Sequence, residues 1–278
     1  MLQLFHSASE NCSRAVTKEY STSFFSAIGF LHRDLRPHIF NIYGFVRLAD
    51  EIVDTFHEYN KPQLLEEFET ETYKAIERGI SLNPILHSFQ TTVNKYRISL
   101  KLIHAFFNSM KMDIDKKSYS RNEFDEYIYG SAEVVGLMCL KVFCGGREDV
   151  WQQLRSSARA LGAAFQKVNF MRDLKADNEG LARMYFPGCD FNNFRQRDKE
   201  QIEKDILNDF KEGYSGIVQL PVKARFGVYV AYKYYFSLFK KIKRMQPSRV
   251  LAKRIHIPNY YKAMIVFRAG IKNQLKLI

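Results

Sequence analysis

Helix punctuation constrains this chain more than anything else in it. Strand-like alternation is rare and short, while helix-opening signals recur throughout. Pro37 opens a helix predicted to run to about Phe56. Pro62 opens another to about Arg78, and Asn83–Pro84 a third ending near Met112. Ser120-x-x-Glu123 is a capping-box pattern ahead of EFDEYIYGSAEVVGLMCLKVF, and Gly145–Gly146 stops that helix. A long helix follows over Glu148 to Ala176, and Pro187, Pro221, Pro247 and Pro258 punctuate the rest. No repeat, low-complexity tract or linker interrupts the pattern. The expectation is all-α: one domain over residues 1–278, with eight to ten helices. At 278 residues and 46% hydrophobic content the chain can bury a sizeable core.

Several function classes drop out early. Cys12, Cys139, Cys144 and Cys189 form no CxxC pair and no zinc spacing, so reduced, packed thiols in a cytoplasmic protein are expected. The seven histidines show no HExxH-type spacing. MLQLFHSASENCSR lacks the pattern of a signal peptide, and no apolar run is long enough to span a bilayer, so a soluble or peripheral protein is expected. The formal charge is +12, but its distribution matters more. From Gly213 to Ile278 there are 14 Lys and Arg and no acid, whereas residues 1–212 carry 28 basic and 30 acidic groups. Such a segment suits an anionic surface or ligand, or forms ordinary solvated helix faces.

Two helices carry unusual acids. In YGFVRLADEIVD, Asp50 and Asp54 are one turn apart, about 6 Å along the axis, with Arg47 and Tyr43 on preceding turns. In QKVNFMRDLKAD, Gln166, Asn169, Asp173 and Asp177 form one stripe, with Arg172 beside it. Like charges at this spacing repel on an isolated helix. Mg²⁺ offers a reason, since it takes one or two carboxylates, several waters and the phosphates of a substrate. Arginines would neutralise the remaining phosphate charge. An exposed acidic face explains either pair alone; both together point to a diphosphate site.

The chain resembles the head-to-head prenyl synthases, the family of phytoene, dehydrosqualene and squalene synthases. YSTSFFSA (20–27) is similar to the family's opening segment and YGFVRLADEIVD to its first aspartate-rich motif. MKMDID (110–115) and YIYGSAEVVGLM (127–138) are similar to its middle signatures. QKVNFMRDLKAD with ARMYFP (182–187) is similar to its second acidic motif. Glu51 departs from the pattern, standing where many members carry a second Asp.

The resemblance implies an all-α isoprenoid-synthase bundle around a central cavity, with the two acidic motifs facing each other at its mouth. It implies Mg²⁺, or Mn²⁺ in its place, held by Asp50, Asp54, Asn169, Asp173 and Asp177. It places Ser23, Arg47, Gln166, Arg172 and Tyr185 near the diphosphates. Phe24, Tyr43, Tyr129 and Tyr185 are candidates for carbocation stabilisation. Tyr235 and Arg254 lie in a C-terminal region that resembles the family only loosely, with a surface arginine the competing reading of Arg254. Asp113 and Asp115 resemble a middle acidic pair, which a helix-end cap or a salt bridge explains equally well. The small residues of ARALGAAF (158–165) either leave room for a lipid chain or allow close helix packing.

The implied reaction joins two prenyl diphosphates. Two geranylgeranyl diphosphates giving phytoene is the first expectation, and two farnesyl diphosphates giving dehydrosqualene or squalene the second. NADPH is not expected. A non-catalytic assembly-factor relative is a further alternative, disfavoured because all four motif aspartates are present. A nucleic-acid binder is not expected, since acidic stripes repel phosphate. Because the product is a hydrocarbon, the basic C-terminal quarter is expected to dock on anionic lipid at the inner face of the membrane.

Overall fold

The computed structural model describes residues 2–116, 118–176 and 184–275. Thirteen α-helices fill these residues: α1 (Leu2–Tyr20), α2 (Thr22–Ile28), α3 (Arg36–Asp54), α4 (Lys61–Arg78), α5 (Pro84–Tyr96), α6 (Leu100–Asp115), α7 (Arg121–Ile128), α8 (Val134–Phe143), α9 (Glu148–Ala176), α10 (Gln196–Ile217), α11 (Val222–Lys243), α12 (Pro247–Ala252) and α13 (Asn259–Gln274). An isolated bridge between Ser118 and Met184 is the one extended pairing among the described residues. The all-α expectation holds, with more helices than the eight to ten expected.

Local chemistry sets most boundaries. Asn60 and Asn83 cap α4 and α5 just ahead of prolines, and the expected Ser120–Glu123 capping box forms. Gly145 and Gly146 take φ of +62° and +79°, the left-handed turn that separates α8 from α9.

Two expected helices are divided. The helix predicted from Pro84 to Met112 breaks at Arg97, which sits at φ +52° while the Ile98 N–H reaches the Val93 carbonyl at 3.0 Å. Tyr96 and Ile98 are both buried around the break, and Ser99 caps α6 by accepting the Lys101 N–H. Core packing on both sides of the kink outweighs the cost of a non-glycine left-handed residue. The helix predicted from Glu123 to Phe143 is interrupted by a π-helical stretch, Tyr129–Glu133, which rotates the register of everything after it.

The core divides into two apolar clusters. One joins α3, α5, α6 and α8 around Phe45, Phe89, Phe106 and Phe107. The other joins α9, α10 and α11 around Phe210, Tyr229 and Phe239. Between them runs a cavity of about 460 Å³, walled by α2, α3, α6, α8, α9, α10 and α11.

Candidate active site

The cavity is polar at one end. Tyr43, Arg47, Asp50 and Asp54 line it from α3, and Gln166, Asn169, Arg172 and Asp173 from α9. Phe24, Tyr185, Tyr235 and Arg254 complete that end. The i,i+3/i+4 geometry of both helices turns each acidic stripe inward, so motifs more than a hundred residues apart meet on one cleft. Asp177 lies outside the described residues, as do Ala182 and Arg183 of the motif's tail.

Two expected residues do not line the cavity. Ser21 lines it in place of Ser23. Ser21 caps α2, its Oγ accepting the Phe24 N–H at 3.2 Å, and this fixes the phase of the helix. The inward face is then Phe24, Ala27 and Ile28, and Ser23 falls one step off it. Tyr129 is also displaced: it begins the π-helical stretch, packs against the first core cluster and carries the Arg159 guanidinium 5.2 Å from its ring. The residues that line the cavity there are Tyr127, Ser131, Ala132, Val135 and Gly136.

The two acidic motifs differ in their charge balance. Asp50 keeps 31% of its side chain accessible, yet it sits inside the cleft. Desolvation, followed by repulsion from Asp54, raises its pKa well above the usual carboxylate value, and Arg47 only partly offsets this. Arg47 lies 3.8 Å from Asp50 but also donates to Glu51 and stacks its guanidinium 4.4 Å from the Tyr20 ring centroid. Asp173 is held by two arginines. Arg172 donates to it from Nε at 3.0 Å and Nη2 at 2.5 Å, and Arg254 Nε donates from the α12–α13 connection at 2.8 Å. Arg254 is thus 69% exposed by area and still part of the mouth.

The donor set suits a hard divalent cation. All candidate ligands are oxygens, and the Asn169 Oδ1 atom is buried without a hydrogen-bond partner, an acceptor waiting for a cation or donor. Among the described residues no three acidic, His or Cys side chains converge on one point. Asp50 and Asp54 on α3 and Asp173 on α9 would offer oxygens to an ion that takes one or two carboxylates and completes its shell elsewhere.

Aromatic faces line or back the polar end. Phe24 stacks on Tyr43 with centroids 5.4 Å apart, and Phe165 on Tyr235 at 4.0 Å. Burial, then Tyr235 and Asp50, push the Tyr43 phenol up to about 12, so it stays neutral at physiological pH. Phe170 and Tyr185 stack at 3.9 Å with their rings nearly parallel. Behind them, buried Asp113 accepts hydrogen bonds from Tyr119 Oη at 3.0 Å and Tyr127 Oη at 2.6 Å. Asp113 lines the cavity while Asp115 is exposed at the helix end, so the two acids do not act as a pair. The sequence carries one hint of this: MKMDID ends a helix, and a tyrosine-rich segment comes directly after it.

The far end is apolar. Leu31, Ile39, Leu140, Phe143, Leu154 and Leu220 line it. ARALGAAF meets both of its readings there. Ala158, Leu161, Gly162 and Phe165 face the cavity, and a Cβ on Gly162 would come within 2.6 Å of the Ala132 carbonyl, so the glycine also lets the π-helical stretch and α9 approach.

Known proteins share this architecture. A family model described as squalene/phytoene synthase matches residues 17–261. A phytoene synthase of Arthrospira platensis is 25% identical over 287 aligned positions, spanning 93% of this chain and 91% of that protein. A 4,4′-diapophytoene synthase of Staphylococcus haemolyticus is 24% identical over 70% of this chain and 67% of its own length. A crystal structure of a dehydrosqualene synthase in complex with ligand superposes with a TM-score of 0.82, covering 97% of this chain and 98% of that one at 18% identity. With an all-α bundle, an acid-lined cavity and a family match over most of its length, the chain belongs to the squalene/phytoene synthase family of head-to-head prenyl synthases.

Proposed function

We propose that this protein is a phytoene synthase: it joins two geranylgeranyl diphosphates head to head through a cyclopropylcarbinyl diphosphate intermediate. The observation that carries the reading is one cavity with acids of two helices at its polar end and apolar walls behind them. The choice of twenty-carbon substrates rests on the near end-to-end similarity to a phytoene synthase.

Each half of the reaction expels one diphosphate and one proton, so two C20 diphosphates give the C40 hydrocarbon, two diphosphates and two protons. Mg²⁺, bound by Asp50, Asp54, Asn169 and Asp173 with Asp177 as a further candidate ligand, would supply the charge that makes diphosphate a leaving group. Arg47, Arg172 and Arg254 would hold the remaining phosphate oxygens by charge-assisted hydrogen bonds. Phe24, Tyr43, Tyr185 and Tyr235 would offer π faces to the allylic cation. Tyr43 suits this because its phenol stays neutral and cannot be alkylated as a phenolate. The apolar walls exclude the water that would otherwise capture the cation. NADPH has no part in this sequence of steps.

A second reading, two farnesyl diphosphates giving dehydrosqualene, is favoured by the similarity to a diapophytoene synthase. One experiment separates the readings. The purified protein is incubated with Mg²⁺ and either geranylgeranyl or farnesyl diphosphate, with and without NADPH, and extracted hydrocarbon is identified by mass. Phytoene from the longer substrate is the expected result. Dehydrosqualene or squalene from the shorter one moves the assignment to the second reading, and no hydrocarbon from either leaves a non-catalytic relative.

A further inference from the structure

Helix α13 carries apolar side chains on both its buried and its exposed side. Its inward side buries Ile265 and Ala269 and packs against α11. Its outward side should be polar. Instead Tyr260, Phe267 and Ile271, spaced seven and four residues apart, face outward with exposures of 76%, 70% and 43%, and Leu275 continues the line just past the helix. Scattered apolar residues on a surface are ordinary, whereas a continuous stripe with two aromatics marks a contact surface.

The charge beside the stripe is unbalanced. Arg268 and Lys272 flank it on α13, and Lys233 and Lys240 approach from α11. None of these four has an ion-pair partner among the described residues. Burial, then Lys272 and Lys240, hold Lys233 below the ordinary lysine value. No acid occurs anywhere in the chain from Gly213 onward.

The stripe also begins at the cavity mouth. Lys262, in the first turns of α13, donates to Thr22 Oγ1 at 3.2 Å, next to cavity-lining Ser21. The connection leading into α13 delivers Arg254 to Asp173 and donates the Ile255 N–H to the Arg172 carbonyl at 3.4 Å. Tyr20, 49% exposed, stands on the same rim.

We propose that the outward face of α13 seats the protein on the interface of an anionic bilayer, with the cavity mouth turned toward the lipid. Tyr260, Phe267, Ile271 and Leu275 enter the headgroup region, and Arg268, Lys272, Lys233 and Lys240 meet anionic headgroups. A nucleic acid would satisfy the cations and leave Ile271 and Leu275 unpartnered. A second copy docking through the same face would oppose one acid-free, cationic surface to another. The bilayer interface accepts both halves of the surface. Its purpose rests on the substrate class proposed above: prenyl diphosphates are amphiphiles and the product is a hydrocarbon, so both would exchange at the surface the mouth faces.

The test uses the full chain and no substrate, so it can fail independently of the proposed reaction. The protein is sedimented with vesicles of phosphatidylcholine alone, or of phosphatidylcholine mixed with phosphatidylglycerol, at rising salt. Binding to the anionic vesicles, released by salt, is expected. Tyr260→Ser/Phe267→Ser and Arg268→Gln/Lys272→Gln should each lower the partition coefficient about tenfold or more. Both variants should keep wild-type circular dichroism and wild-type turnover of detergent-dispersed substrate, since every changed residue is exposed. Wild-type protein that ignores anionic vesicles, or variants that bind as well as wild type, overturn the proposal. So does a concentration-dependent dimer in sedimentation velocity that Tyr260→Ser/Phe267→Ser dissolves, which would assign the face to self-association. Intact vesicle binding without hydrocarbon product would instead overturn the functional reading alone.

Discussion

On α3, Asp50 and Asp54 oppose each other across one helical turn, and the nearest arginine is shared with Glu51. On α9, Asp173 is gripped by Arg172 beside it and by Arg254 from 81 residues further along the chain. The two motifs share one Asp-x-x-x-Asp spacing in the sequence, yet Asp50 is only partly offset by Arg47 while Asp173 is paired by two arginines. Spacing decides which way carboxylates point, while partners from distant segments decide how much charge they offer. Under the proposed function, a cation bound at Asp50 would relieve both its desolvation and its repulsion from Asp54.

Substituting the two sides separately tests the contrast. Asp50→Asn and Asp173→Asn should each lower kcat by at least about 10²–10³, the usual range for losing a preorganised charge-stabilising group. Their effects on the metal-free protein should differ in sign. Asp50→Asn removes a desolvated, repelled carboxylate and should raise Tm, while Asp173→Asn strands two arginines and should lower it. Thermal melts in chelator moving the same way for both variants would break the comparison. Adding Mg²⁺ should raise the wild-type Tm, by about 2–3 kcal/mol of stability at a hundredfold excess over Kd, and chelator should reverse it. Asp50→Asn should abolish that increment.

The opposite end of α3 gives a contrast of its own. There His38 is buried, and burial with the nearby Lys95 holds its pKa at about 4. Lys95 Nζ lies 2.9 Å from His38 Nε2, and Thr92 Oγ1 lies 3.0 Å from Nδ1. Because the folded value lies below the unfolded 6.5, the unfolded chain binds the proton first as pH falls. Full stability from this group is present above pH 6.5 and is lost between 6.5 and 4, on the order of 3 kcal/mol. Comparing denaturation of wild type and His38→Gln across that range isolates the contribution, and identical pH profiles would remove it. The smallest effect expected is that of Arg254→Gln. Its exposed pair with Asp173 should matter little to stability, within about 1 kcal/mol, while kcat/KM falls about tenfold through the lost phosphate contact. Equal kcat/KM in the variant would return Arg254 to an ordinary surface arginine.

Much of the fold and of the site is legible in the chain alone. Caps and prolines act within a few residues, so the starts of α4, α5, α7 and α9 can be read directly from it. The acidic stripes are legible because helical periodicity alone puts Asp50 and Asp54, or Asn169 and Asp173, on one face. Less legible are phase and interruption. Ser21 and Ser23 both fit the opening motif, and only the position of the α2 cap shows that Ser21, not the expected Ser23, turns inward. Tyr129 sits in a matched motif but leaves the cavity because a π-helical stretch rotates the register at that point, and no residue type announces one. The break at Arg97 has a readable sign, Ser99 ahead of an apolar run, but its cause is the packing of Tyr96 and Ile98 in a distant core.

By itself, then, the sequence determined the helical class, most helix starts, the direction of both acidic stripes and the charge asymmetry of the C-terminal quarter, because each of these depends on neighbours within a turn or on simple composition. The tertiary structure alone decided that Arg254 reaches Asp173, that Asp113 receives two tyrosine hydroxyls, that Phe165 stacks on Tyr235, and that α13 turns its aromatics outward beside the mouth. Those contacts join segments far apart in the chain, and their geometry is set by how whole helices pack around the cavity.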